Sequence, residues 1–418
     1  MFFSSVATTR PRVIPEPIEV PSRIGPEALR LPFLDGIRGL AALYVVIHHI
    51  AQLNFEEFPQ GKYHAFLPYL MLGHFAVAIF IVLSGFCLML PVARSSKGEL
   101  KGEFVEFMWR RTRRIVPACY AAMAMSLLMV AFIPSMRRHD AVFWGHAFAG
   151  PDWRSFFDWK VIASHLLILH ALSPNWITRI DPPMWSIGIE WINYLLMPLL
   201  LVPIWRKGGV IALVAGAMAI SFLPYATPLI FHHDHFTLHW MKPWFIALFA
   251  AGMAGAAILC SGKSNELNST LLRAALHPAM LAGLALGIFV CRKNRVPVDF
   301  LASAMTLCVI FHAAIGTALG NVARRVLESR IAMSAGMISY SLYLFHYPLL
   351  VLVHRILEPL HFAADVRTAL LFTLGMPIAI GAGWMGYRVF EKPFLAQRSP
   401  SLSGKLGAAR VIPTKGSN

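Results

Sequence analysis

The sequence contains little charge, since only 14% of its 418 residues are charged and 57% are hydrophobic. This scarcity disfavours a soluble fold, because a surface in contact with water needs a larger share of charged residues. Acidic residues are the scarcer kind, with 21 Asp and Glu against 37 Lys and Arg. The basic residues lie between apolar segments rather than in one soluble region. They therefore indicate membrane topology, and no nucleic-acid partner is expected.

Several familiar catalytic and ligand-binding motifs are also absent. The chain has no G-x-S-x-G sequence, no phosphate-binding Gly-rich loop, no H-E-x-x-H sequence and no paired-cysteine motif. Its five cysteines lack the spacing of a metal or disulfide site, so we expect them to be packing residues. The crowded cluster His232, His233, Asp234, His235 and His239 follows no recognised ligand pattern, so no metal is expected.

Long apolar segments, in contrast, are abundant. Charged residues and Pro or Gly breaks divide them into ten predicted membrane helices, at about residues 34–53, 68–92, 115–134, 184–204, 209–224, 241–260, 277–291, 297–320, 331–356 and 367–389. We therefore predict an all-α integral membrane protein in the lipid bilayer, with about ten transmembrane helices. An even number places both termini on one side, and the distribution of Lys and Arg favours the cytoplasm. The apolar stretch at 161–172 is too short to span and is expected to lie at the interface or to re-enter the membrane.

The two ends of the chain lack such segments. Prolines interrupt every short apolar piece of residues 1–30, so no secretory signal peptide is expected there. We predict a disordered cytoplasmic tail at 1–30, one transmembrane domain at 31–394 and a second disordered cytoplasmic tail at 395–418.

The first predicted span contains Arg38 and His49, two residues that a lipid-facing helix would avoid. Their separation corresponds to roughly 1100° of helix, about 20° past three full turns, so both lie on one face, roughly 16 Å apart in depth. His48 points about 100° away from that face. Ionisable groups at such depth usually face a bundle interior and mark functional sites. A snorkelling arginine and a buried structural histidine are the alternative interpretation.

Four arginines, Arg110, Arg111, Arg113 and Arg114, stand at the start of the third predicted span. Guanidinium groups bind phosphate oxygens in a bidentate manner, so this density favours a phosphate-bearing ligand. A positive-inside topology anchor is the alternative.

Two later spans carry further polar groups. Ser186 and Glu190 are four residues apart and share a helix face, where a carboxylate could orient a histidine, accept a proton or pair with a cation. Tyr343 and His346 belong to a polar and aromatic stripe in the ninth span, which interhelical hydrogen bonds can also explain. Ser84 and Gly85, within the second span, are expected to form a tight packing point.

These segments together resemble the acyltransferase-3 family of membrane acyltransferases, which includes O-acetyltransferases of bacterial surface polysaccharides. The similar segments are, in chain order, 34–39 with His49, 80–86, 110–117, 185–190, 339–348 and 387–394. Each segment alone is weak evidence for the family, but six segments in the family's order are specific evidence for it.

The resemblance implies a ten-helix domain with both termini in the cytoplasm, located in the plasma membrane. It implies that acyl-CoA is the donor, with acetyl as the default acyl group, and that a hydroxyl of a carbohydrate or glycosylated compound is the acceptor. Trp144, Trp153, Trp159 and Trp176 are candidates for acceptor recognition, because aromatic faces stack on sugars. Interfacial anchoring explains these tryptophans equally well.

The resemblance also implies residue roles. Arg38 and His49 are the essential pair, with His49 as the general base or as a residue that is itself acylated. Glu190 is expected to orient the His49 imidazole or to favour its charged form. The residues expected to hold the donor are Arg38, Arg110, Arg111, Arg113 and Arg114, and those expected to contact substrate are Trp185, Ser186, Tyr343 and His346. A transporter or flippase whose pathway is lined by Arg38 and His49 is the alternative function, although the sequence shows no inverted repeat.

Overall fold

The computed structural model describes residues 31–57, 70–137, 153–231, 241–261 and 266–396. These residues form helices and connecting turns, and no strand occurs among them. The histidine cluster at 232–239, Trp144, the predicted tail at 1–30 and all but the first two residues of the tail at 395–418 lie outside the described residues.

The helices are numbered here in chain order. They are α1 Phe33–Glu57, α2 Gly73–Arg94, α3 Phe104–Phe132, α4 Trp159–Leu166, α5 Trp185–Leu196, α6 Val202–Phe231, α7 Trp244–Ser261, α8 Glu266–Ala275, α9 Pro278–Cys291, α10 Arg295–Ile315, α11 Ala318–Leu327, α12 Arg330–Leu357, α13 Ala364–Leu370, α14 Met376–Gly386 and α15 Lys392–Ala396. Short π-helical turns join α5 to α6, α13 to α14 and α14 to α15.

Eight segments of the described chain are long and apolar enough to cross a membrane, and the bent pair α8 and α9 makes a ninth. This architecture confirms the prediction of an all-α, multi-pass membrane protein. The difference from ten predicted spans lies at Pro182–Leu223, a 42-residue segment that contains the predicted spans 184–204 and 209–224. A break at Gly209, whose φ of 67° is left-handed, separates the two parts.

Two pairs of parallel helices form the centre of the bundle. In the pair α1 and α12, Gly39 lies against the backbone of α12, and a Cβ at this glycine would lie 2.3 Å from the Ala332 carbonyl oxygen. Gly85 of α2 packs in the same way against Phe249 of α7, where a Cβ would lie 2.0 Å from the carbonyl oxygen. Small residues of this kind allow membrane helices to approach backbone to backbone.

The helix directions define two ends of the bundle. Helices α1 and α12 begin together, as Gly336 lies against Asp35, and this end also holds Arg38. We call it the arginine end. Helices α2 and α7 begin at the opposite end, where Gly73 lies against His48 near the end of α1. We call this second end the histidine end. The predicted short apolar stretch at 161–172 forms the eight-residue helix α4 and a 3-10 turn, too short to span a membrane.

Candidate active site

A cavity of about 330 Å³ lies between α1, α2, α3, α5 and α12. One face of α2 lines its length through Val77, Phe80, Ile81, Ser84, Cys87, Leu88 and Pro91. At the rise of an α-helix, fourteen residues span roughly 21 Å. The cavity is therefore an elongated slot that begins at the arginine end and extends toward the histidine end. We call it the central cavity.

Three arginines line the arginine end of the central cavity: Arg38 of α1, with Arg111 and Arg114 of α3. Nη1 of Arg38 lies 3.1 Å from Oδ1 of the exposed Asp35, one turn earlier on the same helix. Arg111 and Arg114 are three residues apart and therefore share one face of α3. The guanidinium groups of Arg38, Arg111 and Arg114 therefore place three positive charges at one mouth of the central cavity.

The other two arginines of the predicted donor site lie outside this cavity. Arg110 donates from Nη2 to the carbonyl oxygen of Lys101 at 2.6 Å and lies 3.8 Å from Glu106. Arg113 donates from Nη2 to the carbonyl oxygen of Phe394 at 2.9 Å. These two residues occupy the neighbouring face of α3, which explains why a run of four arginines supplies only two to the cavity.

Glu190 lies inside the central cavity and is held by two hydroxyl groups. Ser84 donates to its Oε1 at 2.8 Å, and the Tyr194 hydroxyl donates to the same oxygen. Its charge acts electrostatically on Arg38 and Arg111. Ser84 and Gly85 were expected to form a tight packing point; Gly85 makes that close helix contact, and the Ser84 hydroxyl in addition faces Glu190.

Ser186 and Tyr343 line the part of the cavity toward the histidine end. The Tyr343 hydroxyl donates to the carbonyl oxygen of Pro183 at 2.8 Å and also lies 2.8 Å from Oγ of Ser186. The ring of Phe80 meets Tyr343 edge-on at a centroid distance of 5.9 Å. These contacts fix two hydroxyl groups on the cavity wall.

A line of aromatic rings continues from Tyr343 to the histidine end. The Tyr343 ring lies 6.0 Å from His346, and the His346 ring lies 5.1 Å from His49. Nδ1 of His346 donates to the carbonyl oxygen of Leu342 at 3.1 Å, and its Nε2 is buried without a partner among the described residues. His346 is fully buried, whereas His49 is half-buried and so is the accessible member of the pair.

The hydrogen bond made by His49 determines which ring nitrogen is available for chemistry. Nδ1 lies 3.0 Å from Oε1 of Gln52, an oxygen that can only accept, so Nδ1 carries the proton of the neutral ring. The lone pair of a neutral His49 is therefore on Nε2. Glu190 is bonded to Ser84 and Tyr194 instead, so the expectation that it orients the imidazole is corrected: Gln52 does so.

The remaining predicted contacts are distributed more widely. Trp185 does not line the central cavity; its ring stacks on His74 at the histidine end, with centroids 5.5 Å apart. Trp153 is contacted by the guanidinium groups of Arg137 and Arg154, at 4.8 and 5.4 Å from its ring centroid, whereas Trp159 is exposed. Among the described residues, no three His, Cys, Asp or Glu side chains are grouped to hold a metal ion.

Neither His346 nor His49 lines the central cavity: its wall reaches Tyr343, and His346 lies between Tyr343 and His49. A helical bundle with a cation-lined slot is typical of a membrane protein that binds an anionic ligand. Comparison with protein families makes this class specific. Residues 31–388 match the profile of the Acyl_transf_3 family, described as an acyltransferase domain. Because the match covers most of the chain, the protein belongs to this family, which confirms the family predicted from the sequence.

Three curated relatives extend the comparison. The chain is 28% identical over 408 residues to acyltransferase MdmB of Streptomyces mycarofaciens, a match that covers 90% of this chain and 95% of that protein. It is 25% identical to the putative peptidoglycan O-acetyltransferase YrhL of Bacillus subtilis, over 91% of this chain and 57% of that protein. It is 23% identical to peptidoglycan O-acetyltransferase OatA of Listeria monocytogenes, over 78% of this chain and half of that protein. No solved structure matches the chain.

Proposed function

We propose that this multi-pass membrane protein transfers an acyl group, acetyl by default, from acyl-CoA to a hydroxyl of a carbohydrate or glycosylated acceptor. The observation that supports this function best is the polar path through the bundle. It begins at three arginines, passes Glu190, Ser186 and Tyr343, and ends at His346 and His49. The relatives named as O-acetyltransferases of peptidoglycan support the acceptor class.

The arginine end holds the donor in this proposal. Coenzyme A carries phosphates at one end and its thioester at the end of a long flexible arm, which matches a slot with cations at only one mouth. Arg111 and Arg114 bind the nucleotide phosphates, and Arg38 lies further along the arm. With both termini in the cytoplasm, this mouth opens to the cytoplasmic pool of acyl-CoA at the plasma membrane.

The histidine end carries out the proton transfer. The acceptor hydroxyl oxygen attacks the thioester carbonyl carbon as Nε2 of His49 removes its proton. The carbon–sulfur bond then breaks, the coenzyme A thiolate leaves, and the proton held by His49 neutralises that thiolate. The products are an ester and a thiol, so atoms and charge balance. Gln52 holds the imidazole in the tautomer that this step needs.

Tyr343 and Ser186 lie between the donor and His49, so their hydroxyl groups are placed beside the thioester. The Ser186 proton, which the Tyr343 oxygen accepts in the free enzyme, turns to the carbonyl oxygen as negative charge develops on it, whereas the Tyr343 proton remains donated to the Pro183 carbonyl. His346 packs behind His49 and limits the motion of the imidazole. Of the four residues expected to contact substrate, Ser186 does so in this proposal, Tyr343 and His346 position neighbouring side chains, and Trp185 lies outside the cavity.

The deciding experiment measures acetyl-CoA binding and slow thioester hydrolysis by the full-length protein in detergent. We expect the wild type to bind and hydrolyse the donor, Arg38→Ala to bind it weakly, and His49→Ala to bind it without turnover. If acyl-CoA of every chain length fails to bind well-folded protein, the donor assignment is wrong. A transport function would then become the hypothesis to test.

A further inference from the structure

A second polar cluster lies at the histidine end, outside the central cavity. Its members come from separate segments: His74 of α2, Trp185 of α5, Lys242 just before α7, and Asp299 of α10. None of these four residues lines the central cavity. The proposed donor site and its arginines therefore leave this cluster unused.

Asp299 is fully buried and already has neutral donors on both oxygens. Nδ1 of His74 donates to Oδ1 at 2.8 Å, and Nε1 of Trp244 donates to Oδ2 at 2.9 Å. A carboxylate satisfied in this way is a fixed part of the protein framework, and it orients the His74 ring. It supplies one negative charge to the cluster.

Lys242 and Arg295 supply two positive charges near that one negative charge. The Lys242 ammonium lies 3.1 Å from the centroid of the Trp185 ring, a cation–π contact. Each cation acts electrostatically on His74. No carboxylate lies within ion-pair distance of either cation among the described residues. The cluster therefore carries an excess of positive charge.

The backbone at Lys242 shows that this placement is specific. Its φ is 46°, in the left-handed region that side-chain-bearing residues seldom adopt. Such a conformation persists only when the surrounding structure imposes it, and it is common at ligand-binding positions. The Trp185 ring contacts the ammonium at the far end of the same side chain.

The cluster lies at the same end of the bundle as His49. His74 follows Gly73, which packs against the ring of His48, and the His48 and His49 rings are 4.9 Å apart. Trp185 directly precedes Ser186, whose hydroxyl meets Tyr343. The histidine end therefore carries both His49 and the cluster.

We propose that Lys242 and Arg295 bind an anionic group of the acceptor, a carboxylate or a phosphate, so that the acceptor is an acidic carbohydrate. The proposal rests on the function proposed above and adds a substrate class to it. The half-buried Lys242 ammonium and the exposed Arg295 guanidinium bind such groups through charge-assisted hydrogen bonds. The side chains of His74 and Trp244 already donate to the two oxygens of Asp299, so this carboxylate does not form an ion pair with Lys242 or Arg295.

The test compares two matched sugars by saturation-transfer NMR on the full-length protein in a zwitterionic detergent. The probes are methyl glucuronide, which carries a carboxylate, and methyl glucoside, which does not. We expect the glucuronide to bind roughly tenfold more tightly, and Lys242→Met to remove that preference. Lys242→Arg should keep it, and Lys293→Met, which removes an exposed charge two residues from Arg295, should leave it unchanged.

Equal binding of the two sugars, the absence of binding by both, or an undiminished preference in Lys242→Met would each overturn the proposal. An anionic lipid headgroup is the other source of the same chemistry. If phosphatidylglycerol added to phosphatidylcholine nanodiscs displaces the glucuronide, the site belongs to lipid and the acceptor assignment is wrong. Acetyl-CoA binding is measured on the same samples. If the wild type does not bind acetyl-CoA, the enzyme proposal is wrong. If it binds acetyl-CoA but does not prefer the glucuronide, this inference alone is wrong.

Discussion

The two ends of the bundle use different kinds of basic residue. At the arginine end, three guanidinium groups line a slot, and guanidinium keeps its charge at any pH a cell meets. At the histidine end, His49 and His346 lie in contact, and an imidazole ring can both accept and release a proton. In the function proposed above this difference is a division of work, with permanent charge for an anionic donor at one end and a proton-accepting ring at the other.

The largest expected effect comes from removing the base at the histidine end. His49→Gln should lower the rate of acyl transfer on the order of 10²–10⁴-fold, because proton removal from the acceptor hydroxyl loses its catalyst. The dissociation constant for acetyl-CoA should remain near the wild-type value, since the donor phosphates lie at the other end. Rates and donor affinity are measured on the same purified protein.

His346→Gln provides the matched control. This buried histidine lies beside His49 but is not the accessible one, so its replacement should lower the rate far less. If His346→Gln lowers the rate of acyl transfer more than His49→Gln does, the base is His346, and the path proposed for the acceptor must change.

The next prediction compares the two faces of α3 that carry arginines. Arg111→Gln combined with Arg114→Gln should weaken acetyl-CoA binding by roughly 10–100-fold, because two charge-assisted contacts to phosphate are lost. Arg110→Gln removes the same charge from the neighbouring face and should change donor affinity little. Isothermal titration at a fixed salt concentration measures both. Equal losses in the two proteins would show that only the overall charge of this end matters.

A third effect concerns pH at the histidine end. Burial, together with the charge of Arg295, lowers the pKa of the Lys242 ammonium to about 7, and Asp299 acts in the opposite direction. Lys242 is therefore charged below that pH and neutral above it. Binding of methyl glucuronide should weaken, by roughly tenfold at most, as the pH rises through 7.

Lys242→Arg supplies the comparison, because guanidinium stays protonated across this range and its binding curve should be flat. His74 faces the same cluster, so His74→Gln is measured alongside. A pH dependence that survives in Lys242→Arg but disappears in His74→Gln would assign the titration to His74.

Much of the fold could be predicted from the sequence, because the hydrocarbon core sets the length of each apolar segment. The two predicted spans 184–204 and 209–224 lie in one long apolar segment, which the structure divides at Gly209, where the backbone leaves the helical conformation. The charged and glycine residues at 206–209 mark this break in the sequence, because a glycine adopts a left-handed φ at no steric cost.

The candidate site was predictable where the signal lies within one helix. Arg38 and His49 share a face of α1 by periodicity alone, and the structure places one at each end of the polar path. Contacts between helices were not predictable. Tyr194 as a partner of Glu190, Gln52 as a partner of His49 and the whole Lys242 cluster depend on how helices pack, which one sequence does not specify.

The smallest effect tests most directly whether the two ends are separate. Glu190→Gln keeps an oxygen that accepts from Ser84 and Tyr194, so the fold is retained while one negative charge leaves the donor slot. Donor phosphates are then repelled less, and acetyl-CoA should bind roughly two- to fivefold more tightly. The pH dependence of the hydrolysis rate should not move, because Gln52, not Glu190, contacts His49. A shifted pH profile with unchanged donor affinity would mean that Glu190 acts on His49 through Ser186 and Tyr343, and the bundle would then hold one coupled site instead of two.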